Sequence, residues 1–501
     1  MKKAEIIIDK NYVVGELDPD IYGFFIEHLG RAVYEGIYQP GSPLSDENGF
    51  RKDVLEVARE LNIPIVRYPG GSFVSNYFWE DGIGPKEERR KRMDLVWGAS
   101  EPNTFGLDEF MAWADLAGTK PLMAVNLGTR GIQDALNILE YCNVEGNTLY
   151  SDKRIQNGHK APYKVEKWCL GNEMDGPWET GQKVPFEYGR LCAQIGRAMK
   201  RVDPDVKLVA CGSSGMFMPS FGSWEAGVLD ECYDEVDYIS LHSYYKVRRD
   251  DPMNYFAQNL EMDQYIRQVV AACDYIRAKK KGKKDIMLSF DEWGVGNYAE
   301  PIPFPKWSEH PHQLENQYTF ADAILTGILM ITLMKHADRV KIATYAQLVN
   351  AIGVVMTSDN GLWKHANYWP LLHASNYGRG KVLDTIVHAP RYDSKEFSDV
   401  PYLDSVVTED EDKETLTVFA VNKSLDEEME ISMDLRQFSD YVIEEQLVLK
   451  CDALRAVNTE ENKDRVVPSR ISTVTLGNGM LTGLLPACSW NVIRMKRRKD
   501  L

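Results

Sequence analysis

Two glutamates stand where β-rich segments of the chain end, and their carboxyl groups can do acid–base chemistry together. Glu173 closes the segment Leu170–Glu173, and Glu292 closes the segment Phe290–Glu292. Retaining glycosidases work with such a pair, in which one carboxylic acid protonates the leaving oxygen and one carboxylate attacks the anomeric carbon. The two residues therefore predict cleavage of a glycosidic bond by double displacement.

The neighbours of the two glutamates indicate different roles for them. Asn172 could hold a sugar hydroxyl beside the reacting carbon, which favours Glu173 as the acid. Tyr244 could donate a hydrogen bond to Glu292 and keep it ionised as the nucleophile. This division requires the pKa of Glu173 to lie above the pKa of Glu292. Adjacent residues of a strand point to opposite sides, so only Glu292 is expected to face the cavity, with Asp291 as a structural partner.

Eight short β-rich segments alternate with helical patterns and could bring these residues together. The segments are Ile21–Glu27, Ile65–Pro69, Pro121–Leu127, Val165–Leu170, Val206–Ala210, Tyr238–His242, Asp285–Phe290 and Val340–Ala346. The helical patterns include Arg51–Leu61, Leu107–Ala117, Phe186–Arg201, Tyr255–Lys279 and Tyr318–Lys335. This alternation predicts an α/β fold, a closed parallel (β/α)8 TIM barrel over residues 15–380. An open doubly wound sheet is the alternative, but no Gly-rich phosphate-binding turn follows a strand.

The active residues of such a barrel lie at the C-terminal ends of its strands. Polar residues follow the first, fourth, sixth, seventh and eighth segments, namely Glu27, Glu173, Tyr244, Glu292 and Gln347. Each alone has an ordinary structural explanation, such as capping a loop or pairing with an arginine. Their joint position at one end of the barrel favours a catalytic site.

The pattern changes after the predicted barrel. Met429–Leu435 alternates between apolar and polar residues, which is typical of a half-buried antiparallel strand. Further strand candidates are Leu416–Val421, Val442–Leu449, Arg470–Leu476 and Ser489–Met495. Residues 381–501 are therefore predicted to form an antiparallel β-sandwich, joined by an N-terminal strand within residues 1–14.

The charge balance argues against two classes of partner. Lys and Arg number 58 against 75 Asp and Glu, which gives a net charge of −17. Such a field repels nucleic acid and anionic membrane surfaces, so neither partner is expected. The apolar run Ile6–Ile8 is too short for a signal peptide, and Ala323–Met334 is too short to span a bilayer. With eight scattered cysteines, the chain is predicted to be a cytoplasmic protein with reduced thiols.

His310 and His312 have the H-x-H spacing of some metal-dependent barrels and are the candidates for a metal site. The pair lies in a Pro-rich loop after the seventh segment rather than at a strand end. No Cys, Asp or Glu completes it with a recognisable spacing. The sequence therefore predicts neither a metal nor a cofactor.

Several stretches along nearly the whole chain resemble one glycosidase family. They are Gly23–His28, Arg67–Gly71, Asp81–Pro85, Asn126–Gly131, Leu170–Trp178, Ile239–His242, Asp291–Trp293, Ala346–Asn350 and His373–Ser375. On these stretches the sequence resembles the α-L-arabinofuranosidases of glycoside hydrolase family 51, within the clan of barrel glycosidases with glutamates on strands four and seven. The resemblance implies a barrel with a jelly-roll-like sandwich. It also implies exo-acting, retaining removal of terminal arabinofuranosyl residues from arabino-oligosaccharides and arabinoxylan fragments.

Residue by residue, the resemblance implies Glu173 as the acid/base and Glu292 as the nucleophile. It implies that Arg67 supports the nucleophile and that Trp97 forms an aromatic wall near the leaving group. The sugar site would be lined by Glu27, Asn172, Tyr244 and Gln347. Family members are often homohexamers, so a homo-oligomer is expected.

Two positions depart from the family pattern. Ser72 stands where the family often carries Asn, which affects a substrate-binding position of the arabinose subsite. Gly294–Asn297 replaces the usual Asn-Val-Trp after Asp-Glu-Trp, which affects the region beyond the scissile bond. Two alternatives stay open, namely another barrel glycosidase activity of the same clan (β-xylosidase or endoglucanase) and a non-hydrolytic sugar-binding protein. The retained glutamate pair argues against the second, because binding alone does not require both.

Overall fold

A computed structural model describes residues 1–246, 250–296 and 302–498. Within these residues, eight parallel strands close into a barrel, and each pairs with the next barrel strand along the chain. With elements numbered in chain order, the barrel strands are β3 (Gly23–Phe25), β4 (Ile65–Tyr68), β7 (Lys120–Val125), β8 (Lys167–Leu170), β9 (Lys207–Ala210), β10 (Tyr238–Tyr245), β11 (Met287–Val295) and β12 (Val340–Ala346). Each overlaps one predicted segment, so the predicted barrel is confirmed.

Helices follow the barrel strands along the chain and bury their apolar faces. They are α1 (Lys52–Glu60), α2 (Leu107–Ala117), α3 (Ile132–Asn143), α4 (Leu149–Gln156), α5 (Pro185–Val202), α6 (Ser223–Cys232), α7 (Pro252–Tyr255), α8 (Asn259–Lys280), α9 (Phe320–Lys335) and α10 (Tyr368–Tyr377). The predicted helix Tyr255–Lys279 is wrong at its start. Tyr255 closes the separate turn α7, whose first turn is capped by the side chain of Asp251, and the long helix begins at Asn259.

The C-terminal strands form two sheets around a common apolar core. In the described part of the chain, one sheet has the order β16-β1-β21-β25-β24 and the other β2-β15-β19-β20-β26-β22-β23. The first contains β1 (Lys2–Ile7), β16 (Ile386–His388), β21 (Met429–Asp434), β24 (Val474–Gly477) and β25 (Met480–Leu485). The second contains β2 (Val13–Glu16), β15 (Lys381–Leu383), β19 (Leu403–Asp410), β20 (Thr415–Asn422), β22 (Tyr441–Leu449), β23 (Ser469–Ile471) and β26 (Ser489–Arg497). Short two-stranded pairs are formed by β5 (Arg92–Met93) with β6 (Ser100–Glu101), β13 (Val355–Ser358) with β14 (Gly361–Lys364), and β17 (Arg391–Tyr392) with β18 (Val400–Pro401).

The pairings within both sheets are antiparallel except that of β1 with β21, which is parallel. The predicted alternation in β21 is confirmed, since Met429, Ile431 and Met433 are buried. The predicted single strand Arg470–Leu476 is wrong, because the chain changes sheets at Thr473. There the side chain of Gln446 accepts hydrogen bonds from the backbone N–H groups of Thr473 and Val474.

The first two strands of the chain lie in the sandwich, one in each sheet. The division of the chain at residue 380 and the jelly-roll topology stay predictions. Asn297, in the loop that departs from the family pattern, lies outside the described residues. Among the described residues, no helix is both long and apolar enough to cross a membrane. All eight cysteines are free and seven are buried, as predicted for reduced core thiols.

Helix α9 packs between the barrel and the sandwich and is buried along almost its whole length. A Cβ atom at Gly327 would lie 2.5 Å from the Trp490 ring, so only glycine lets the indole approach this closely. Trp490 is fully buried and its Nε1–H donates to Nδ1 of His373, at 3.1 Å. Burial lowers the pKa of His373 to about 4, which keeps the ring neutral as this acceptor requires.

The contact between His373 and Trp490 predicts a pH-dependent term in stability. In the folded state the ring protonates near pH 4, and in the unfolded chain near 6.5. The unfolded state therefore binds more protons between these values, so stability falls as the pH falls through this window. His373→Phe should unfold at a lower temperature at pH 7.5, because the indole N–H loses its acceptor at a cost of about 1–3 kcal/mol.

Thermal unfolding followed by circular dichroism between pH 7.5 and pH 4.5 measures both effects. The difference in unfolding temperature between wild type and His373→Phe should narrow as the pH falls, because only the wild type loses the stabilising contribution of this ring. Burial also lowers the pKa of His365 to about 4. Because His365 is present in both proteins, its effect on the unfolding temperature cancels in the difference. A difference in unfolding temperature that stays constant or widens would contradict a neutral His373 ring in the folded protein.

Candidate active site

Glu173 and Glu292 meet at the C-terminal end of the barrel. Glu173 follows β8 with a left-handed backbone, φ 41°, whereas Glu292 lies within β11. One carboxylate oxygen of Glu173 and one of Glu292 lie within 4.8 Å of each other. Retaining glycosidases place their carboxyl groups about 5–5.5 Å apart, and inverting enzymes about 6.5–9.5 Å apart. The approach of the two oxygens in this protein fits the shorter distance, that of retaining enzymes.

Glu292 has donors on both carboxylate oxygens. The Tyr244 hydroxyl donates to Oε1 at 2.7 Å, and the Arg67 guanidinium donates to Oε2 at 3.0 Å. Burial raises the pKa of Glu292, and the charge of Glu173 raises it further. The charges of His242 and Arg67 and the bond from Tyr244 oppose this rise. The net result is a pKa above the ordinary value, although Arg67 and Tyr244 are partners that stabilise an ionised form in a buried position.

His242 links three carboxyl groups at the base of the site. Its Nδ1 lies 2.9 Å from Glu173 Oε1 and 3.5 Å from Glu292 Oε2, and its Nε2 lies 2.9 Å from Asp291 Oδ1. Burial lowers the pKa of His242, but the charge of Glu292 and the bonds to Asp291 and Glu173 outweigh burial and raise the pKa to about 10. The ring is therefore a buried imidazolium. The other oxygen of Glu173 accepts from Trp178 Nε1 at 2.6 Å.

Asp291 and Glu292 both reach the barrel interior, so the expected strict alternation does not hold here. Both contact the same ring of His242. The pairing of β11 with β12 is interrupted between Phe290 and Trp293. Such an irregularity turns side chains out of the regular alternation and is common next to active sites. Asp291 is a structural partner as expected, but it lies inside the barrel beneath the site.

Asn172 joins Arg67 to a carboxyl group that the sequence analysis did not single out. Its Oδ1 accepts from Arg67 at 2.7 Å, and its Nδ2 donates to Glu179 at 3.0 Å. The hydroxyls of Ser72 and Ser75 also donate to Glu179. Ser72 therefore lies beside the site, but its hydroxyl donates its hydrogen bond to the carboxylate of Glu179.

Glu27 forms a second buried group with two other predicted residues. Its Oε1 accepts from Trp97 Nε1 at 3.1 Å and from the Phe73 N–H at 2.9 Å. Its own N–H donates to Gln347 Oε1 at 2.8 Å. Burial raises the pKa of Glu27 well above its ordinary value, and the charge of Glu292 raises it further. A Cβ at Gly71 would lie 2.7 Å from both carboxylate oxygens, which explains why glycine stands there.

Gln347 is fully buried, and its Nε2 is a donor without a hydrogen-bond partner among the described residues. Buried donors are nearly always bonded, so this N–H is available to a group that binds at this end of the barrel. All nine predicted site residues thus lie at this end of the barrel. The sequence analysis missed roles for His242, Trp178 and Glu179. His242 ends the sixth segment, and the other two follow Glu173 in the next loop, so only their positions could have drawn attention.

The geometry favours a charge cluster over a metal centre. Among the described residues, the carboxylates and imidazoles close enough to share a cation belong to Glu173, His242 and Glu292. Both nitrogens of His242 already contact carboxylates, which suits an imidazolium better than a metal ligand. The two histidines with H-x-H spacing contact carboxylates instead, His312 that of Glu315 at 2.9 Å and His310 that of Glu35 at 3.6 Å.

A parallel barrel with two glutamates at this short separation, at the ends of strands four and seven, defines the class of barrel glycosidases. Family models described as "Alpha-L-arabinofuranosidase 1 domain" and "Alpha-L-arabinofuranosidase C-terminal domain" match residues 57–265 and 291–489. The "Intracellular exo-alpha-(1->5)-L-arabinofuranosidase" of Acetivibrio thermocellus is 50% identical over 99% of this chain and 100% of its own. The enzyme of the same name from Halalkalibacterium halodurans is 52% identical over 99% of both chains.

The solved structure of a family 51 α-L-arabinofuranosidase from Bifidobacterium longum is 41% identical to this chain. It superposes with a TM-score of 0.95 and covers 99% of both chains. This chain therefore belongs to the α-L-arabinofuranosidases of glycoside hydrolase family 51.

The contacts of His242 predict an imidazole that stays protonated at pH 8, because carboxylates face both nitrogens. Spectra of the protein with ¹⁵N-labelled histidine, assigned by loss of the signal in His242→Gln, follow its titration. Asp291→Asn should lower the pKa of this ring, since it removes the carboxylate bonded to Nε2. His365, a buried histidine whose Nδ1 contacts the Gly353 carbonyl oxygen and whose pKa burial lowers to about 4, should keep its wild-type titration. Loss of the His242 proton below pH 7 in wild type would contradict the conclusion that this ring is a buried imidazolium.

Proposed function

We propose that this protein is a retaining exo-α-L-arabinofuranosidase in which Glu292 is the nucleophile and Glu173 the acid/base. The observation that carries the proposal is the separation of their carboxylate oxygens, within 4.8 Å. Glu292 has Arg67 and Tyr244 as partners, which stabilise a carboxylate. Glu173 is bonded to the half-exposed Trp178 at the rim, where a leaving sugar can receive its proton.

The proposed reaction has two steps. In the first, the Glu292 carboxylate forms a bond to the anomeric carbon, and the bond to the leaving oxygen breaks as Glu173 gives that oxygen its proton. The result is a covalent arabinosyl ester of Glu292 and an ionised Glu173. In the second step Glu173 takes a proton from water, the water oxygen attacks the anomeric carbon, and the ester bond breaks. Two inversions give net retention.

We propose short arabinose-bearing oligosaccharides as the substrate, with Glu27, Gln347 and Asn172 holding the terminal sugar. Two relatives carry names that specify exo action on α-(1→5)-linked arabinofuranose, and this supports the same linkage here. The word intracellular in those names agrees with the cytoplasmic location expected from the sequence. The homohexamer is also a proposal, which analytical ultracentrifugation would test.

Alanine variants of the two glutamates separate the proposed roles. On an aryl α-L-arabinofuranoside, Glu292→Ala should lower kcat by about 10⁴-fold or more, because no covalent intermediate forms. Glu173→Ala should lose less on an activated leaving group, which needs little protonation. Added azide should raise the turnover of Glu173→Ala and give an arabinosyl azide of retained configuration, since this anion needs no general base.

The same assays distinguish the alternatives. Near-native rates in Glu292→Ala, or an azide of inverted configuration, would contradict the roles. Preferred cleavage of an aryl β-xyloside or of a cello-oligosaccharide would favour another activity of the same barrel clan. Binding of arabinose without release of any aryl group would favour a sugar-binding protein.

A further inference from the structure

Glu179 is a buried carboxyl group that the proposed reaction does not use. It is 5% exposed and accepts hydrogen bonds from Asn172, Ser72 and Ser75. None of these donors is charged, so they do not neutralise it. Burying a carboxylate with only neutral partners costs free energy, and such groups are retained mainly at functional sites.

The hydrogen bond to Glu179 fixes the amide of Asn172 between a guanidinium group and a carboxyl group. The amide oxygen accepts from Arg67 and one N–H donates to Glu179, while Arg67 also donates to Glu292. A cation at the oxygen and a carboxyl group at the nitrogen permit one orientation of the amide. The second N–H is then the one that can reach a substrate hydroxyl.

The loop after β8 places Glu179 beside Asn172. Trp178 and Glu179 are neighbours in the chain, and they bond to the neighbours Glu173 and Asn172. The loop packs tightly against the loop after β7, because a Cβ at Gly128 would lie 2.1 Å from the Thr180 carbonyl oxygen. The position of the Glu179 side chain is therefore fixed by backbone contacts.

The ionisation of Glu179 fits a role in the site. Burial raises its pKa to about 7, and the charge of Glu173 adds to the rise. The bonds from Ser72, Ser75 and Asn172 act in the opposite direction. The ionised form accepts hydrogen bonds from all three donors, and a form protonated on Oε2 still accepts from Asn172 and Ser72 at Oε1.

We propose that Glu179 is a positioning residue that acts through Asn172, holding one amide N–H so that the other faces the sugar hydroxyl beside the anomeric carbon. Ser72, at the position where the family often carries Asn, then supports Glu179 and does not donate to substrate. The inference rests on the proposed function of the site. Because hydrogen bonds to this hydroxyl strengthen in the transition state, loss of Glu179 should lower kcat more than it raises KM.

A double-mutant cycle tests whether Glu179 acts through Asn172. On an aryl α-L-arabinofuranoside, Glu179→Ala should lower kcat/KM by about 10- to 100-fold, because the amide is misplaced. The double variant Asn172→Ala/Glu179→Ala should be within about 2-fold of Asn172→Ala alone, since coupled residues are not additive. Glu179→Gln should recover most of the activity, because its Oε1 can still accept from Asn172.

Glu225 provides the matched control. It is a fully buried glutamate that accepts from the Ser213 N–H and caps α6, away from Asn172. Any effect of Glu225→Gln on kcat/KM should multiply with that of Asn172→Ala. If Glu179→Ala does not fold, Ser72→Ala/Ser75→Ala removes two of its donors and should enter the cycle in the same way.

The possible outcomes separate this inference from the proposed function. Multiplicative losses in the Glu179 cycle, or a Glu179→Gln variant as slow as Glu179→Ala, would overturn the positioning role while wild type remains an arabinofuranosidase. A wild type that cleaves no arabinofuranoside would instead overturn the proposed function, and this inference with it.

Discussion

Burial of charge is the constraint on which the end of the barrel depends. Arg67 and His242 lie among the carboxyl groups of Glu173, Asp291 and Glu292, almost out of contact with water. An unpaired ion in such a place costs several kcal/mol, and removal of one partner leaves the other uncompensated. The two cations and three carboxyl groups come from β4, β10, β11 and the loop that follows β8. Only a closed barrel in the correct register brings them within hydrogen-bond distance.

Much of the fold could be predicted because it depends on patterns within short stretches of chain. The eight apolar segments are strands buried on both faces, and alternation in Met429–Asp434 reflects one buried face. The pattern carries no information on where a strand changes partner. Arg470–Leu476 reads as one strand because it is rich in the β-branched residues Ile471, Thr473, Val474 and Thr475. The side chain of Gln446 nevertheless accepts hydrogen bonds from the backbone donors at Thr473 and Val474, where the segment divides between two sheets.

The members of the site that end strands could be predicted, because the C-terminal edge of a barrel brings strand ends together. What could not be predicted depends on contacts between distant residues. The protonation of His242 follows from Glu173 and Asp291, which lie 69 and 49 residues away in the chain. The shared interior position of Asp291 and Glu292 follows from an irregular pairing with β12. Glu179 lies in a loop without periodicity.

The position of β1 has a consequence for synthesis of the protein. Within the described residues its neighbouring strands are β16 and β21, so the ribosome makes the whole barrel before this strand meets either partner. Ala4 and Ile6, both buried in the sandwich core, stay exposed for most of translation. The barrel can fold while the nascent chain grows, but the sandwich closes later, because it joins strands from before and after the barrel. Loss of β1 would remove an inner strand of its sheet, between β16 and β21, and not an edge strand.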